Sequence, residues 1–146
     1  MNKNFVCTGG HTVGTAHCDK FKNRLYNFRN SGKPDSRMNP AFLQELRKTC
    51  PLNSQVNNET FLDHTPTSHF VIDNAYYKQI LANKGVLEVD ANMANSPLTN
   101  GIVRKLANTP GYFLDKFGPA MVKMGRIRVL TGKQGEIRKS CRSVNH

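Results

Sequence analysis

Gly9-Gly10-His11-Thr12-Val13-Gly14-Thr15-Ala16-His17-Cys18 is the stretch on which the reading of this 146-residue chain turns. Two glycines before His11 and a third at Gly14 remove Cβ atoms on both sides of it, so a flat or bulky ligand can approach the main chain closely. A histidine alone in such a setting is ordinarily structural or exposed, and the residues around it decide its meaning. His11, His17 and Cys18 come nearest to zinc-ligand spacing, but nothing downstream completes a set of four ligands. The four cysteines, at 7, 18, 50 and 141, allow three pairings, and composition does not choose among them.

Outward from that stretch, residues 5–29 read as a first unit in which Val13, Phe21, Leu25 and Tyr26 follow at mostly helical spacings. Residues 30–39, dense in Gly, Pro, Asn, Asp and Ser, form a loop. Asn39-Pro40 is an N-cap and first-turn pair for a helix carrying Phe42, Leu43 and Leu46, ended by Cys50-Pro51. The polar segment 52–72 has no clear period and reads as a long loop. Asp73 or Asn74 caps a helix with Tyr76, Tyr77, Ile80 and Leu81 on one side, stopping near Gly85. Val86-Leu87-Glu88-Val89 reads as a short extended piece, and Ser96-Pro97 as a second cap pair leading into Ile102, Val103 and Leu106. Phe113, Phe117, Met121 and Met124 form an apolar stripe expected to face a core, with a kink or a late helix start at Pro119. The tail from Leu130 to Asn145 is turn-rich. The sum is an all-α architecture of about five helices, with long loops and little strand, over one unit, 1–146.

Composition excludes several classes. Lys and Arg number 21 against 10 acidic residues, a net charge of +11, and hydrophobic residues make up 38%. Adding glycine brings the apolar share near that of ordinary globular chains, so full-length disorder is not expected. No apolar run reaches the ~18 residues a membrane helix needs. The first ten residues lack the apolar core of a secretory leader. The charge favours polyanionic neighbours, namely nucleic acid, acidic lipid or acidic polysaccharide. No nucleic-acid recognition motif accompanies it, and its plain reading is a solvated basic surface.

Taken together, the motifs resemble the plant secretory (class III) haem peroxidases. They are the 9–18 stretch, Asn23-Arg24-Leu25-Tyr26-Asn27-Phe28, Cys50-Pro51, Asp73-Asn74-Ala75-Tyr76-Tyr77 and Lys84-Gly85-Val86-Leu87 with Asp90. Ala120-Met121-Val122-Lys123-Met124-Gly125, residues 130–138 and Cys141-Arg142-Ser143-Val144-Asn145 continue the match in family order. The resemblance implies the proximal, C-terminal portion of the haem-peroxidase fold.

That resemblance assigns His11 as the axial ligand of a haem b iron and Asp90 as the acceptor of its Nδ1–H. It implies hydrogen peroxide and small phenolic donors as substrates, and an extracellular setting among acidic cell-wall polysaccharides. It implies a proximal calcium held by Thr12, Asp63, Ser68 or a nearby Thr65 or Thr67, the Val71 carbonyl and Asp73. Calcium takes 6–8 oxygens of these kinds. The ten positions from Asp63 to Asp73 make this loop longer than the family's usual one. It further implies a Cys18–Cys50 disulfide and, for Cys141, a partner in the family's N-terminal half. Cys7 has no family counterpart and reads as a small buried apolar residue. Asn58-Glu59-Thr60 is an N-glycosylation sequon. No counterpart of the family's distal Arg and His is found, so no catalytic residue is assigned and weak turnover is expected. Arg142 and His146 share that pair's spacing only by coincidence. A non-catalytic basic segment that binds polyanions, or an incomplete gene product, is the alternative expectation.

Overall fold

Proline, glycine and asparagine punctuation sets the element order in the computed structural model, which describes residues 4–109 and 111–145. Helix α1 (Asn4–Cys7) runs into a 3-10 turn, Thr8–Thr12. Strand β1 (Thr15–His17), a 3-10 turn (Cys18–Lys20), α2 (Lys22–Tyr26) and a further 3-10 turn (Phe28–Asn30) follow. Then come α3 (Pro40–Thr49), β2 (Glu59–Phe61), α4 (Ala75–Leu81), α5 (Glu88–Asn95), α6 (Asn100–Asn108) and α7 (Tyr112–Gly125). No described helix is long and apolar enough to cross a membrane.

Helix α3 forms where the sequence predicts it. The Asn39 side chain accepts hydrogen bonds from the Ala41 and Phe42 amides, and Pro40 opens the helix. The asparagine satisfies two otherwise orphaned donors, while the proline has no N–H to lose there. Phe42, Leu43 and Leu46 face inward. At the start of α4 the Asp73 carboxylate accepts the Ala75 amide at 2.7 Å.

Several expectations are corrected. The mostly helical spacing of residues 5–29 is interrupted by β1, which leaves a series of short turns and helices. The 52–72 segment contains β2, which pairs antiparallel with β1 in the register Thr15↔Phe61, Ala16↔Thr60 and His17↔Glu59. Glu88 and Val89 open α5 instead of extending 86–87, and two acidic residues in that first turn suit a helix N-terminus. Ser96 holds a turn by accepting the Leu98 amide at 3.3 Å, and α6 starts only at Asn100. Helix α7 runs through Pro119 to Gly125. Its stripe is buried at Phe113 and packed at Phe117, whereas Met121 and Met124 are exposed. The Arg142–His146 spacing reaches residue 146 and the expected lack of a leader concerns residues 1–3 as well, and these residues lie outside the described ones.

Two apolar clusters hold the chain together. One joins Val6, Tyr76, Tyr77, Ile80, Met93, Val103, Leu106 and Phe113, from α1 and α4 to α7. The other joins Phe21, Leu25, Phe42, Leu46, Leu62 and Val86, from α2, α3 and the ladder's flanks. The Cys18–Cys50 disulfide expected from the resemblance is present in the second cluster. Cys7 is half-buried against the first cluster, and Cys141 is an exposed thiol. The basic residues are not uniformly solvated, since Arg24 is fully buried.

Candidate functional site

The Thr8–Thr12 turn leads out of α1, which packs in the first cluster, and carries His11. Gly9 allows this placement: a Cβ there would collide with the Phe113 ring and stand 2.6 Å from the Tyr77 hydroxyl. That is far inside van der Waals contact, so only glycine lets the turn settle on α4 and α7.

His11 Nδ1 lies 3.1 Å from each carboxylate oxygen of Asp90. The two residues are 79 positions apart in sequence. Asp90 is 1% exposed and the His11 side chain 32% exposed. A carboxylate only accepts hydrogen bonds, so Nδ1 carries the proton and donates it, leaving Nε2 with its lone pair. The hydrogen bond to Asp90 raises the His11 pKa above the usual histidine value, against the opposing effect of burial. Thr8 Oγ1 reaches Met93 Sδ at 3.4 Å, a second tie between the turn and α5. The Tyr76 ring meets the imidazole edge-on at 6.0 Å between centroids. Its hydroxyl is buried without a hydrogen-bond partner among the described residues. Burial first, then the charge of Asp90, pushes the Tyr76 pKa well upward.

The residues assigned to calcium fall into two adjoining sets. Thr12 Oγ1 donates to the Val71 carbonyl at 3.1 Å and accepts the Asp73 amide at 3.4 Å. Asp63, 1% exposed, accepts from Ser68 Oγ at 3.0 Å and from the Thr65 amide at 2.8 Å. Thr65 Oγ1 is itself engaged by Gln79 Nε2 at 3.0 Å, which favours Ser68 over Thr65 for the hydroxyl role. All these donors are hard oxygens, and Asp63 is a buried carboxylate whose hydrogen bonds here come from neutral groups. That chemistry fits a calcium ion. No cluster of three His, Cys, Asp or Glu side chains able to hold a metal occurs among the described residues.

Sequence reasoning missed three contributors. Tyr76 and Met93 carried only an apolar signal, and neither periodicity nor spacing separates a core residue from one that borders a site. Arg24, Asp35 and Arg37 are the third: charges in a basic, loop-rich stretch read as solvent-facing. The apolar neighbours Phe21 and Leu25 around Arg24 were the available signal.

The sequence profile of the peroxidase family matches residues 5–109. The chain belongs to the peroxidase family. Peroxidase 60 of Arabidopsis thaliana is 42% identical to it over 145 residues, covering 99% of this chain and 44% of that relative. Peroxidase C2 of Armoracia rusticana is 43% identical over 142 residues, covering 94% of this chain and 40% of that relative. The chain thus spans about two fifths of the length of these plant relatives. A mostly helical architecture with one three-residue ladder agrees with the helical fold of the family. The family implies haem, and the residues present fit it: an imidazole whose Nδ1 is committed to a buried carboxylate retains Nε2 as a ligand nitrogen.

Proposed function

We propose that the chain forms the proximal side of a haem peroxidase that uses hydrogen peroxide to oxidise small phenolic donors. His11 would hold the haem b iron through Nε2, with Asp90 as its hydrogen-bond partner. The observation that carries this reading is the two-oxygen grip of a buried Asp90 on His11 Nδ1 at 3.1 Å.

When bound, haem supplies the redox centre that takes up the oxidising equivalents of hydrogen peroxide. Asp90 holds the Nδ1 proton, fixes the tautomer and ring orientation, and makes the imidazole more electron-rich. Such an imidazole favours the more oxidised states of the metal. The Gly9 close approach fixes the height of the turn. Thr12, Asp63, Ser68, the Val71 carbonyl and Asp73 hold calcium, which ties Thr12 and so the adjoining His11 to the 63–73 loop. The Cys18–Cys50 disulfide suits an oxidising, extracellular setting. Exposed basic residues from Lys123 to Arg142 suit acidic polysaccharide neighbours.

Haem titration of the folded chain, read by its Soret band and electron paramagnetic resonance, tests the assignment. A histidine-ligated spectrum is expected for the native chain and its loss for His11→Ala. Asp90→Asn is expected to keep ligation but raise the Fe(III)/Fe(II) potential. An unchanged spectrum and affinity in His11→Ala would overturn the reading.

A further inference from the structure

Away from the His11–Asp90 pair, buried charge concentrates under the N-terminal end of α5. Arg24, on α2, is 1% exposed and among the largest fully buried side chains. Its Nε and Nη2 donate to Asp35 Oδ2 at 3.2 and 3.0 Å. Its Nη1 donates to the Gly85 and Val86 carbonyls, each at 2.6 Å. Those two carbonyls belong to the segment that leads directly into α5. Asp35 is also 1% exposed and accepts a second guanidinium, with Arg37 Nε on Oδ1 and Nη2 on Oδ2, both at 3.0 Å. Arg37 Nη1 then reaches Asn92 Oδ1 at 2.8 Å, on α5 two residues beyond Asp90. On the surface, Arg29 Nη2 adds a contact to Glu88 Oε1 at 2.9 Å.

Stability alone is a weak reason for this arrangement. Charges taken out of water carry a large desolvation cost, and well-packed apolar residues commonly serve a fold as well or better. A guanidinium offers what apolar packing does not: a planar fork of donors with fixed directions. Here one carboxylate orients two such forks, and both end on α5 or its entry. The opposite side of α5 faces the Thr8–Thr12 turn through Asp90 and Met93. The helix is therefore gripped on one side by the arginine network and on the other presents its carboxylate to His11. The equal distances from Nδ1 to both Asp90 oxygens depend on where α5 places the Asp90 main chain.

We propose that Arg24, Asp35 and Arg37 form a positioning clamp that sets α5 so that Asp90 grips His11 Nδ1. The purpose of the clamp rests on the reading of His11 and Asp90 as the haem-ligating pair. Its geometry does not depend on haem.

The test uses the full chain without haem, labelled with nitrogen-15, at one fixed pH. Solvent exchange of the His11 Nδ1–H and the two ring-nitrogen shifts report the grip directly. Arg37→Gln is the first variant, because Arg37 is partly exposed and its loss leaves the Arg24–Asp35 pair intact. Exchange is expected to rise severalfold, with partial recovery in Arg37→Lys. If Arg37→Gln does not fold, Asn92→Ala removes only the acceptor on α5 and carries the same expectation. Leu43→Ala, a packing loss in α3, is the control for general destabilisation. Unchanged exchange in the folded variant overturns the clamp. So does equal acceleration in Leu43→Ala at a matched loss of thermal midpoint. Failure of haem binding overturns the peroxidase reading and leaves this result standing, whereas normal haem binding with unchanged exchange overturns the clamp alone.

Discussion

Replacing Cys18 and Cys50 together by alanine removes the one covalent cross-link among the described residues. The two half-cystines are 4% and 1% exposed and 32 positions apart. The loop they close contains α2, α3 and all three members of the proposed clamp. In the chain-entropy treatment, the cross-link removes about 12 cal/mol/K from the unfolded ensemble for a loop of that size, or about 3.7 kcal/mol at 25 °C. With a urea dependence of about 2 kcal/mol/M, the midpoint of unfolding falls by about 1.8 M. Equilibrium urea titrations of the oxidised native chain and the double-alanine chain, followed by circular dichroism, measure this directly. The slope should also steepen, because an unlinked denatured chain is more expanded. A midpoint shift under about 0.5 M with an unchanged slope would refute the reasoning: the denatured chain would then already hold residues 18–50 together without the bond.

Gly9→Ala is expected to destabilise the chain by about 1–3 kcal/mol through overpacking, since its Cβ would press on Tyr77 and Phe113. Gly101→Ala, on the open face of α6 with nothing within 4 Å of the added carbon, is expected to stabilise by up to about 1 kcal/mol. Thermal or urea unfolding of the pair checks both signs, and equal effects would count against the close-approach argument. Asp35 gives a pH prediction. Burial opposes its charge, yet the hydrogen bonds from Arg37 and Arg24 hold its folded carboxyl below the usual carboxylate range. A depressed folded pKa contributes stability that is present above the unfolded value and lost as pH falls through the folded one. Asp35→Asn should therefore be less stable at neutral pH but show a flatter acid limb. Parallel unfolding-against-pH curves for the two chains would contradict the assigned pairing.

How much of this was legible in the sequence depends on whether the deciding force is local. Asn39-Pro40 announced α3 because capping is settled by three or four consecutive residues. The ladder between β1 and β2 was illegible: two three-residue strands 44 positions apart have no internal period to read. Val86-Leu87-Glu88-Val89 misled through its β-branched residues, and packing over the Arg24 network and the first cluster decides for helix from Glu88 onward. Met121 and Met124 kept a helical spacing that the fold does not bury, because α7 is buried at Phe113 and Ala120 and packed at Phe117, short of its last turn. His11 and Asp90 were found by resemblance, whereas their burial difference and two-oxygen geometry came only from the folded chain.

The His11–Asp90 contact also bears on the order of events during folding. Its 79-residue separation makes it one of the longest loop closures in the molecule, and such contacts form after local ones because chain entropy opposes them. The turn that carries the imidazole packs on Tyr77 and Phe113 of the first cluster, so the imidazole acquires its tautomer only when that cluster has condensed and α5 has docked. On the proposed haem-ligating role, capture of the iron by a correctly poised Nε2 would then be a terminal step of maturation. A partly folded chain would present an ordinary, untuned histidine, and the spectroscopic signature of the tuned ligand would serve as a clock for the completion of folding.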